Sequence, residues 1–506
     1  MRTWCSVLFF CTIFSVGCDS TNQAPTPANS LTIGIPESTG GGPNVGMREL
    51  TTGFSLEGLT QVGVDGKAVP RLAEKWTWEN DYRSLHLTIR RGVVLHDGTA
   101  PDAPRVADAL RAQISRPGNR ALYPSFSAIT AVRAEGDHDL IIDLSEPAAF
   151  LPEDLDLSLG IGPNNVGSGP YRPLKTDSGD VTFERFDQYY RGTPQVERIV
   201  LKPFDTLRTA WTSLLRDEVD MVTDVPPDAV EFIRNDQIQV ISFARWYQYL
   251  IAFNSRRPPF DSPVVRRALN LAVDREALIK NALQDRGSPS TGPLWPQYWA
   301  YDNSMAPYSF DPALARSLLE GAGFRQASAP RAGGLSPARL RFTCLIPEGF
   351  SVWERIALEI QKNLYNIGVD MQFQVVPFQK FDALFREGTF DAALIDIISG
   401  PTPARPYIFW QSARRYKGFN VFGYENPEAE RLFETLRTTT NEGAVRSATR
   451  RLQSVLLDDP PALFLVWSRR TPAVRREFNV VQDADRDPLL TLWRWTPAAQ
   501  SATSTQ

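Results

Sequence analysis

Two aspartates and one serine have side chains that hydrolytic chemistry would use. Asp97 and Asp143 are candidates for the paired carboxylates of a secreted hydrolase, one acting as general acid and the other as base. Ser168 lies in the run GSG at 167–169, which approaches the nucleophile motif G-x-S-x-G. However, Pro170 follows directly and restricts the preceding glycine away from the helical conformation that this motif needs. Since the chain has 58 acidic residues, a pair of carboxylates is easily found, and binding without catalysis is the stronger hypothesis.

Composition disfavours metal, cofactor and nucleic-acid chemistry. The 506 residues include three histidines and four cysteines, which leaves few ligands for a zinc or nickel site built from side chains. The net charge is −4, from 54 basic and 58 acidic residues, and no basic patch is evident. The basic pairs at 414–415 and 469–470 are short enough to be solvated surface. We therefore expect no metal, no cofactor and no nucleic-acid partner.

The start of the chain has the features of an exported protein. The apolar run after Arg2 continues to Gly17, which is shorter than the roughly 20 residues that span a bilayer. A basic start, a short apolar stretch and small residues before a polar break are typical of a signal peptide, here residues 1–17. Once it is removed, Cys18 and Cys344 are the remaining cysteines, so no disulfide framework is expected.

The run SVGC at 15–18 resembles the lipid box of bacterial lipoproteins, in which the cysteine is acylated. That resemblance implies that Cys18 carries lipid, with residues 18–30 as a disordered tether, on the periplasmic face of the membrane in the cell envelope. Ser15 stands where the family usually has Leu, and cleavage without acylation is the alternative. Residues 497–506 have the composition of a disordered tail.

Hydrophobic spacing in the second half of the chain predicts alternating strands and helices. The pattern predicts strands at 340–346, 369–375 and 391–395, and helices at 353–367 and around 381–385. Such repeated order implies parallel strands joined by right-handed crossovers. Ligands in open α/β sheets bind beyond the carboxyl ends of the strands, which here are residues 347–350 and 396–406.

Other signals mark helix starts and one loop. Prolines preceded by a capping residue predict that helices begin at Pro263 after Ser262, at Pro312 after Asp311 and at Pro427 after Asn426. A strand at 31–35 leads into the run PESTGGGPN. A phosphate-binding loop would need Lys with Ser or Thr just after the glycines, so we predict a turn that lines a cleft instead.

Three longer segments together resemble the family 5 extracellular solute-binding proteins, the peptide receptors of ABC importers. The first is EGL at 57–59 followed by VGVDGKAVPRLAEKWTWENDYRSLHLTIRRGVVLHDGT. The second is VGSGPY at 166–171, and the third is NSRRPPFDSPVVRRALNLAVD at 254–274. They occur in the family's order, and the resemblance covers about residues 31 to 470.

The resemblance implies an α/β, bilobed, periplasmic-binding-protein-like fold of the cluster C type, with mixed sheets flanked by helices. The implied domains are lobe I (31–54, 166–252 and 462–496), an inserted extra domain (55–165) and lobe II (253–461). Two strands near 249–254 and 460–467 would cross between the lobes as hinges. The run Asp459-Pro460-Pro461 fits such a crossing because proline restricts the backbone.

The resemblance also implies a function. The chain would capture a peptide-like or other small solute between its lobes and deliver it, as a monomer, to the permease and ATPase of an ABC importer. A ligand-sensing receptor with the same cleft is the alternative. Neither role makes or breaks a bond in the solute.

Residues of the expected cleft can be assigned by position. The ligand-binding candidates are Glu37, Ser38, Thr39, Asn254, Ser399, Gly400, Arg405, Trp410, Tyr424 and Trp467. Ser399 stands where peptide receptors of the family carry an Asp that binds the α-amino group of the peptide. An ordinary peptide is therefore a doubtful ligand. Arg405 would suit an acid group, and the three aromatic residues would form walls of the cleft.

Overall fold

The computed structural model describes residues 29–36, 45–174, 179–326 and 338–498. The predicted signal peptide, Cys18, Glu37, Ser38, Thr39 and residues 499–506 lie outside the described residues. Among the residues described, no helix is both long and apolar enough to cross a membrane.

One sheet has seven strands. In spatial order they are Ile238–Val240, Ala473–Arg475, Met221–Val222, Ser30–Pro36, Arg198–Phe204, Val181–Arg185 and Tyr171–Leu174. Ser30–Pro36 pairs in parallel with Arg198–Phe204 and with Met221–Val222. The other pairings in this sheet are antiparallel.

A second sheet has six strands. In spatial order they are Gly287–Pro289, Ala462–Arg470, Phe243–Phe253, Ala392–Ile398, Leu340–Pro347 and Val369–Val376. Leu340–Pro347 is parallel to Val369–Val376 and to Ala392–Ile398, as the sequence predicts. Residues Leu250 and Ala252 face one apolar core while Ile251 and Phe253 face another. Both faces of this sheet are therefore covered.

The remaining strands form smaller sheets. A four-stranded antiparallel sheet contains Ala73–Glu79, Ser84–Ile89, Asp139–Leu144 and Ile129–Glu135 in that order. Two-stranded pairs join Thr60–Val62 to Ala68–Pro70, and Phe478–Asn479 to Thr496–Pro497. The four-stranded sheet has its own apolar core and falls within the predicted inserted domain.

Helices cover these sheets. The α-helices are Val45–Ser55, Ala103–Ser115, Pro117–Leu122, Leu151–Asp154, Leu207–Leu215, Val230–Ile233, Pro263–Leu271, Arg275–Leu283, Pro312–Gly321, Ser351–Tyr365, Phe378–Arg386, Ala404–Trp410, Pro427–Thr438 and Glu442–Asp458. The 3-10 helices are Pro124–Ser127, Pro227–Ala229 and Pro488–Arg494. The predicted α/β class with mixed sheets is confirmed.

The three helices predicted to start at Pro263, Pro312 and Pro427 begin at those residues. Asp311 accepts a hydrogen bond from Leu314 N at 2.8 Å, and Asn426 accepts one from Ala429 N at 3.0 Å. Ser262 occupies the N-cap position of Pro263–Leu271, but its side chain makes no capping hydrogen bond. The start of that helix is therefore set by the proline rather than by the serine.

Sheet pairing corrects the predicted crossings between lobes. The strands Phe243–Phe253 and Ala462–Arg470 pair with each other inside the six-stranded sheet, so residues 249–254 and 460–467 do not cross. The chain passes between the two sheets at residues 241–242 and again at residues 471–472. On the far side of these crossings, the short strands Ile238–Val240 and Ala473–Arg475 pair with each other in the seven-stranded sheet. Asp459 and Pro460 instead contact Arg266, which donates to Pro460 O at 2.8 Å.

The first two family-like segments meet in a buried network centred on Glu57. Its Oε1 accepts hydrogen bonds from Arg71 Nε at 2.6 Å and Tyr189 OH at 2.9 Å, and its Oε2 accepts one from Ser168 Oγ at 3.0 Å. A Cβ at Gly167 would lie 2.1 Å from Ser55 O, so the turn around Ser168 has no room for a larger residue. Ser168 is thus a structural residue, since its hydroxyl binds a buried carboxylate.

Candidate functional site

A cavity of about 600 Å³ lies between the seven-stranded and the six-stranded sheets. We call it the intersheet cavity. Ile35, Pro36 and Met221 line it from the first sheet, and Tyr247 and Tyr249 line it from the second. Its charged lining residues are Glu49, Asp205, Asp224, Arg245, Arg470 and Asp487. The crossings at 241–242 and 471–472 adjoin the cavity, so a change of angle there would open or close it.

Two arginines bring positive charge to the intersheet cavity. Arg245 Nη1 lies 3.1 Å from Asp396 Oδ2, and its guanidinium covers the Tyr247 ring at 4.3 Å from the centroid. Burial raises the pKa of Asp396, although Arg245 opposes the shift. Arg470 differs, because its Nε is buried and has no hydrogen-bond partner among the described residues. Arg470 therefore has bonding capacity left for an acceptor that enters the cavity.

Acidic side chains in the intersheet cavity are held by backbone groups. Asp224 Oδ1 accepts hydrogen bonds from Val225 N at 3.0 Å and from Thr471 N at 2.9 Å. Asp487 Oδ1 accepts one from Leu489 N at 2.9 Å, and burial raises the pKa of Asp487. These bonds fix the orientation of both carboxylates at the wall of the cavity.

A helix begins at the wall of the intersheet cavity. Phe350 is the N-cap of Ser351–Tyr365 and supplies no side-chain hydrogen bond to the first turn. Gly349, Phe350 and Trp353 line the cavity, which places the predicted strand end at 347–350 beside it. An uncapped helix start favours negative charge because its first N–H groups point outward and its dipole is positive there.

The predicted ligand residue Ser399 is fully buried and structural. Its Oγ accepts a hydrogen bond from Gln248 Nε2 at 2.6 Å and donates to Pro293 O at 3.0 Å. Asn254 is also buried, and its Nδ2 donates to Gly388 O and Phe390 O at 3.0 Å. Both side chains form hydrogen bonds within the protein, and neither lines the intersheet cavity.

The three predicted aromatic walls lie in one apolar core beside the six-stranded sheet. Trp410 stacks on Phe422 at a centroid distance of 4.7 Å. Tyr424 OH donates to Asp459 O at 3.1 Å, and the Trp467 ring contacts Trp295 edge-on. These three residues therefore fill this core, and none of them lines the intersheet cavity. The aromatic residues that line the intersheet cavity are Tyr247, Tyr249, Phe350 and Trp353.

Gly400 and Arg405 line a second cavity, of about 150 Å³, beside the carboxyl end of Ala392–Ile398. Arg405 Nη1 donates to Leu122 O at 3.0 Å and its guanidinium lies 5.4 Å from the centroid of Tyr123. Glu37, Ser38 and Thr39 are outside the described residues, and Pro36 just before them lines the intersheet cavity.

The carboxylates proposed for hydrolysis have separate partners. Asp143 accepts a hydrogen bond from Arg133 Nε at 2.9 Å, and this bond lowers the pKa of Asp143. Asp97 accepts one from Thr99 Oγ1 at 2.6 Å, which lowers the pKa of Asp97. Both groups are stabilised as carboxylates, so neither is prepared to act as a general acid.

Sequence reasoning missed both arginines of the intersheet cavity. The sequence predicts solvated surface for the pair at 469–470, yet only Arg469 has a carboxylate partner near the surface. Arg469 donates to both oxygens of Asp485, at 2.7 and 2.6 Å, whereas Arg470 lines the cavity. Neighbouring side chains of a strand point to opposite sides, which was the available signal.

The chain belongs to the bacterial extracellular solute-binding proteins, family 5, whose model matches residues 67–418. It is a substrate-binding protein of the type that serves ABC transporters, as the resemblance implies.

Curated relatives and solved structures agree with this. The chain is 26% identical over 443 residues to the glutathione-binding protein GsiB of Pectobacterium atrosepticum, covering 82% of this chain and 84% of that one. It is 21% identical to the oligopeptide-binding protein AppA of Bacillus subtilis, over 80% and 79% of the two chains. The fold is similar to NikA from Brucella suis in complex with Fe(III)-EDTA, with a TM-score of 0.80, 20% identity, and coverage of 92% and 99%.

Proposed function

We propose that the intersheet cavity captures a small, peptide-like solute through a carboxylate group, and that the protein delivers it to the permease and ATPase of an ABC importer. The observation that carries this proposal is the buried Nε of Arg470, which lines the cavity without a hydrogen-bond partner among the described residues.

A buried donor without a partner destabilises a protein. Such a group costs about 1–3 kcal/mol, and more when it is charged. A solute carboxylate would satisfy Arg470 with a charge-assisted bond and would face the uncapped start of Ser351–Tyr365. Tyr247 and Tyr249 offer apolar contact beside it.

Closure follows from the position of the intersheet cavity. A solute that contacts both sheets stabilises the closed form by its differential affinity for the two states. Micromolar affinity corresponds to a binding free energy of only about −8 kcal/mol. Several hydrogen bonds and the burial of apolar surface supply this free energy. The permease then recognises the surface of the closed form, which differs from the surface of the open form.

The names of similar proteins support a peptide-like solute. They include glutathione-binding and oligopeptide-binding proteins. The structural match to AppA of Bacillus subtilis, in complex with a nonapeptide, has a TM-score of 0.74 at 19% identity and supports the fold alone.

We also propose an oligomeric state and a cellular location for the protein. The protein acts as a monomer, is exported, and is held at the periplasmic face of the membrane by lipid on Cys18. It binds without turnover. A ligand-sensing receptor uses the same cavity, and a permease and ATPase encoded beside this chain would favour import.

Native mass spectrometry tests the proposal directly. The protein is purified gently from its own cells, weighed intact, and then denatured so that any retained small molecule can be identified. A released solute with a carboxylate group supports the proposal. A released solute without any acid group contradicts it.

A further inference from the structure

The second cavity has a carboxylate-rich wall that the proposed solute site does not use. We call this cavity the acidic pocket. Three of its lining residues, Glu153, Asp154 and Asp156, come from one short segment of the predicted inserted domain. The opposite wall is formed by residues 400–402 and Arg405. The pocket therefore lies where the four-stranded-sheet region meets the six-stranded-sheet region.

The three carboxylates are only partly satisfied by the protein. Asp154 Oδ2 accepts a hydrogen bond from Ser125 N at 3.0 Å, and Asp156 Oδ2 accepts one from Val62 N at 3.2 Å. Glu153 Oε1 accepts a long one from Ala68 N at 3.4 Å. Glu153 Oε2 is buried and has no hydrogen-bond partner among the described residues. An acceptor left unpaired in this way indicates a missing donor.

Protein cations do not supply that donor. Arg405 is directed to Leu122 O and to the Tyr123 ring. Arg486 donates to Val62 O at 3.0 Å and covers Trp246, the other aromatic wall. Three acidic residues and one basic residue line the pocket, so its lining is acidic when all are ionised.

Burial makes this arrangement costly without a cation. It raises the pKa of Glu153 to about 8, and the pKa of Asp154 and of Asp156 to about 6. A donor cation in the pocket would offset the loss of water around the carboxylates. The acidic pocket also has an apolar wall, which is formed by Leu157, Ile398 and Pro401. Such a wall suits the alkyl chain of an organic cation.

We propose that the acidic pocket binds an alkylammonium or alkylguanidinium group through Glu153, with Asp154 and Asp156 beside it. This inference rests on the proposed function, because the alkylammonium or alkylguanidinium group is taken to be part of the captured solute. The protein would then select solutes that carry an acid at one end and a base at the other. Cation recognition would come from the inserted domain rather than from Ser399.

The test uses two small probes of equal shape, butylguanidinium and its neutral counterpart butylurea. Binding of each is measured by titration calorimetry to the wild type, to the double variant Glu153→Gln/Asp156→Asn, and to the control Glu442→Gln, whose carboxylate is exposed and paired with Lys67. We expect butylguanidinium to bind the wild type and the control equally, and the double variant at least about tenfold more weakly. Butylurea should bind weakly to all three.

Two results would overturn the inference: undetectable binding of butylguanidinium to the wild type at millimolar concentration, or equal affinity for the double variant. A separate experiment tests the proposed carboxylate site of the intersheet cavity. N-acetylglycine is titrated into the wild type and into Arg470→Gln. If N-acetylglycine binding is independent of Arg470 while butylguanidinium behaves as expected, the proposed function fails and the acidic pocket stands. The reverse pattern removes the acidic pocket alone.

Discussion

The side-chain amide of Gln248 donates to Ser399 Oγ at 2.6 Å, and both residues are fully buried. Gln248 Oε1 in turn accepts a hydrogen bond from Ser290 Oγ at 2.6 Å. These bonds join three neighbouring segments of the six-stranded-sheet region. The hydroxyl of Ser399 is therefore engaged in contacts within the protein.

Replacing Ser399 should change stability and leave binding intact. Ser399→Ala leaves Gln248 Nε2 without its acceptor, so we expect the free energy of unfolding to fall by about 1–3 kcal/mol. Solute affinity of the folded protein should be unchanged. Urea unfolding and calorimetry measure the two effects. A loss of affinity without a loss of stability would return Ser399 to the binding site.

The Glu57 network should be a major contributor to stability. The Glu57 side chain is fully buried and that of Arg71 is 12% exposed, so Glu57→Gln leaves the largely buried guanidinium without its carboxylate partner. We expect a loss of about 3–5 kcal/mol, measured as the shift of the urea midpoint. Glu442→Gln, which removes an exposed pair with Lys67, should cost less than about 1 kcal/mol. Equal shifts for both variants would contradict the structural role of Glu57.

The acidic pocket predicts a pH dependence of stability. The pKa values of Glu153, Asp154 and Asp156 are raised in the folded protein, to about 8, 6 and 6. The folded state thus holds more protons than the unfolded chain, whose carboxyls titrate near about 4, and stability falls as the pH rises from about 4 to about 8. The charged groups facing these three are Asp65, Arg71, Arg405 and Arg486.

Unfolding of wild type and of Glu153→Gln/Asp156→Asn at pH 5 and pH 8 measures this dependence. The difference in unfolding free energy between the two pH values should be smaller for the variant. Butylguanidinium should also bind the wild type more tightly at pH 8 than at pH 5, because Asp154 and Asp156 are then ionised and Glu153 is partly ionised. Parallel pH profiles for the two proteins would show that other groups cause the slope.

Cys344 should be chemically inert in the folded protein. It is completely buried in Leu340–Pro347, and burial raises the pKa of its thiol to about 12. A chain that starts at Asp19 contains this cysteine alone. We expect no reaction with a disulfide reagent until denaturant is added. Rapid labelling of the native protein would mean that the core of the six-stranded sheet opens locally.

The sequence predicts the second sheet well because its signals are local. Hydrophobic alternation gave the strands Leu340–Pro347 and Val369–Val376, and a helical period gave Ser351–Tyr365 between them. Proline gave the starts of Pro312–Gly321 and Pro427–Thr438 in the same way. Each of these features depends on residues within one turn or one strand.

The site depends on contacts between distant segments, which no local pattern contains. Trp410 and Trp353 both lie on helices that follow a strand of the six-stranded sheet, yet the first fills a core and the second lines the intersheet cavity. Strand alternation places Arg469 and Arg470 on opposite sides, but the pairing of Asp485 with Arg469 and the unpaired Nε of Arg470 depend on distant segments. The positions at which the chain crosses between the two sheets also depend on a long-range contact. They are set by how far Phe243–Phe253 pairs with Ala462–Arg470, and these strands are distant in sequence.

The most direct test of the account is calorimetric titration of Arg470→Gln beside the matched control Arg476→Gln, an exposed arginine of the seven-stranded-sheet region. The titrant is the solute released by denaturing the purified protein, or glutathione if none is retained. We predict that Arg470→Gln weakens binding by about 1.5–3 kcal/mol while Arg476→Gln binds as the wild type does. Equal affinity of all three proteins would contradict the claim that Arg470 holds the solute.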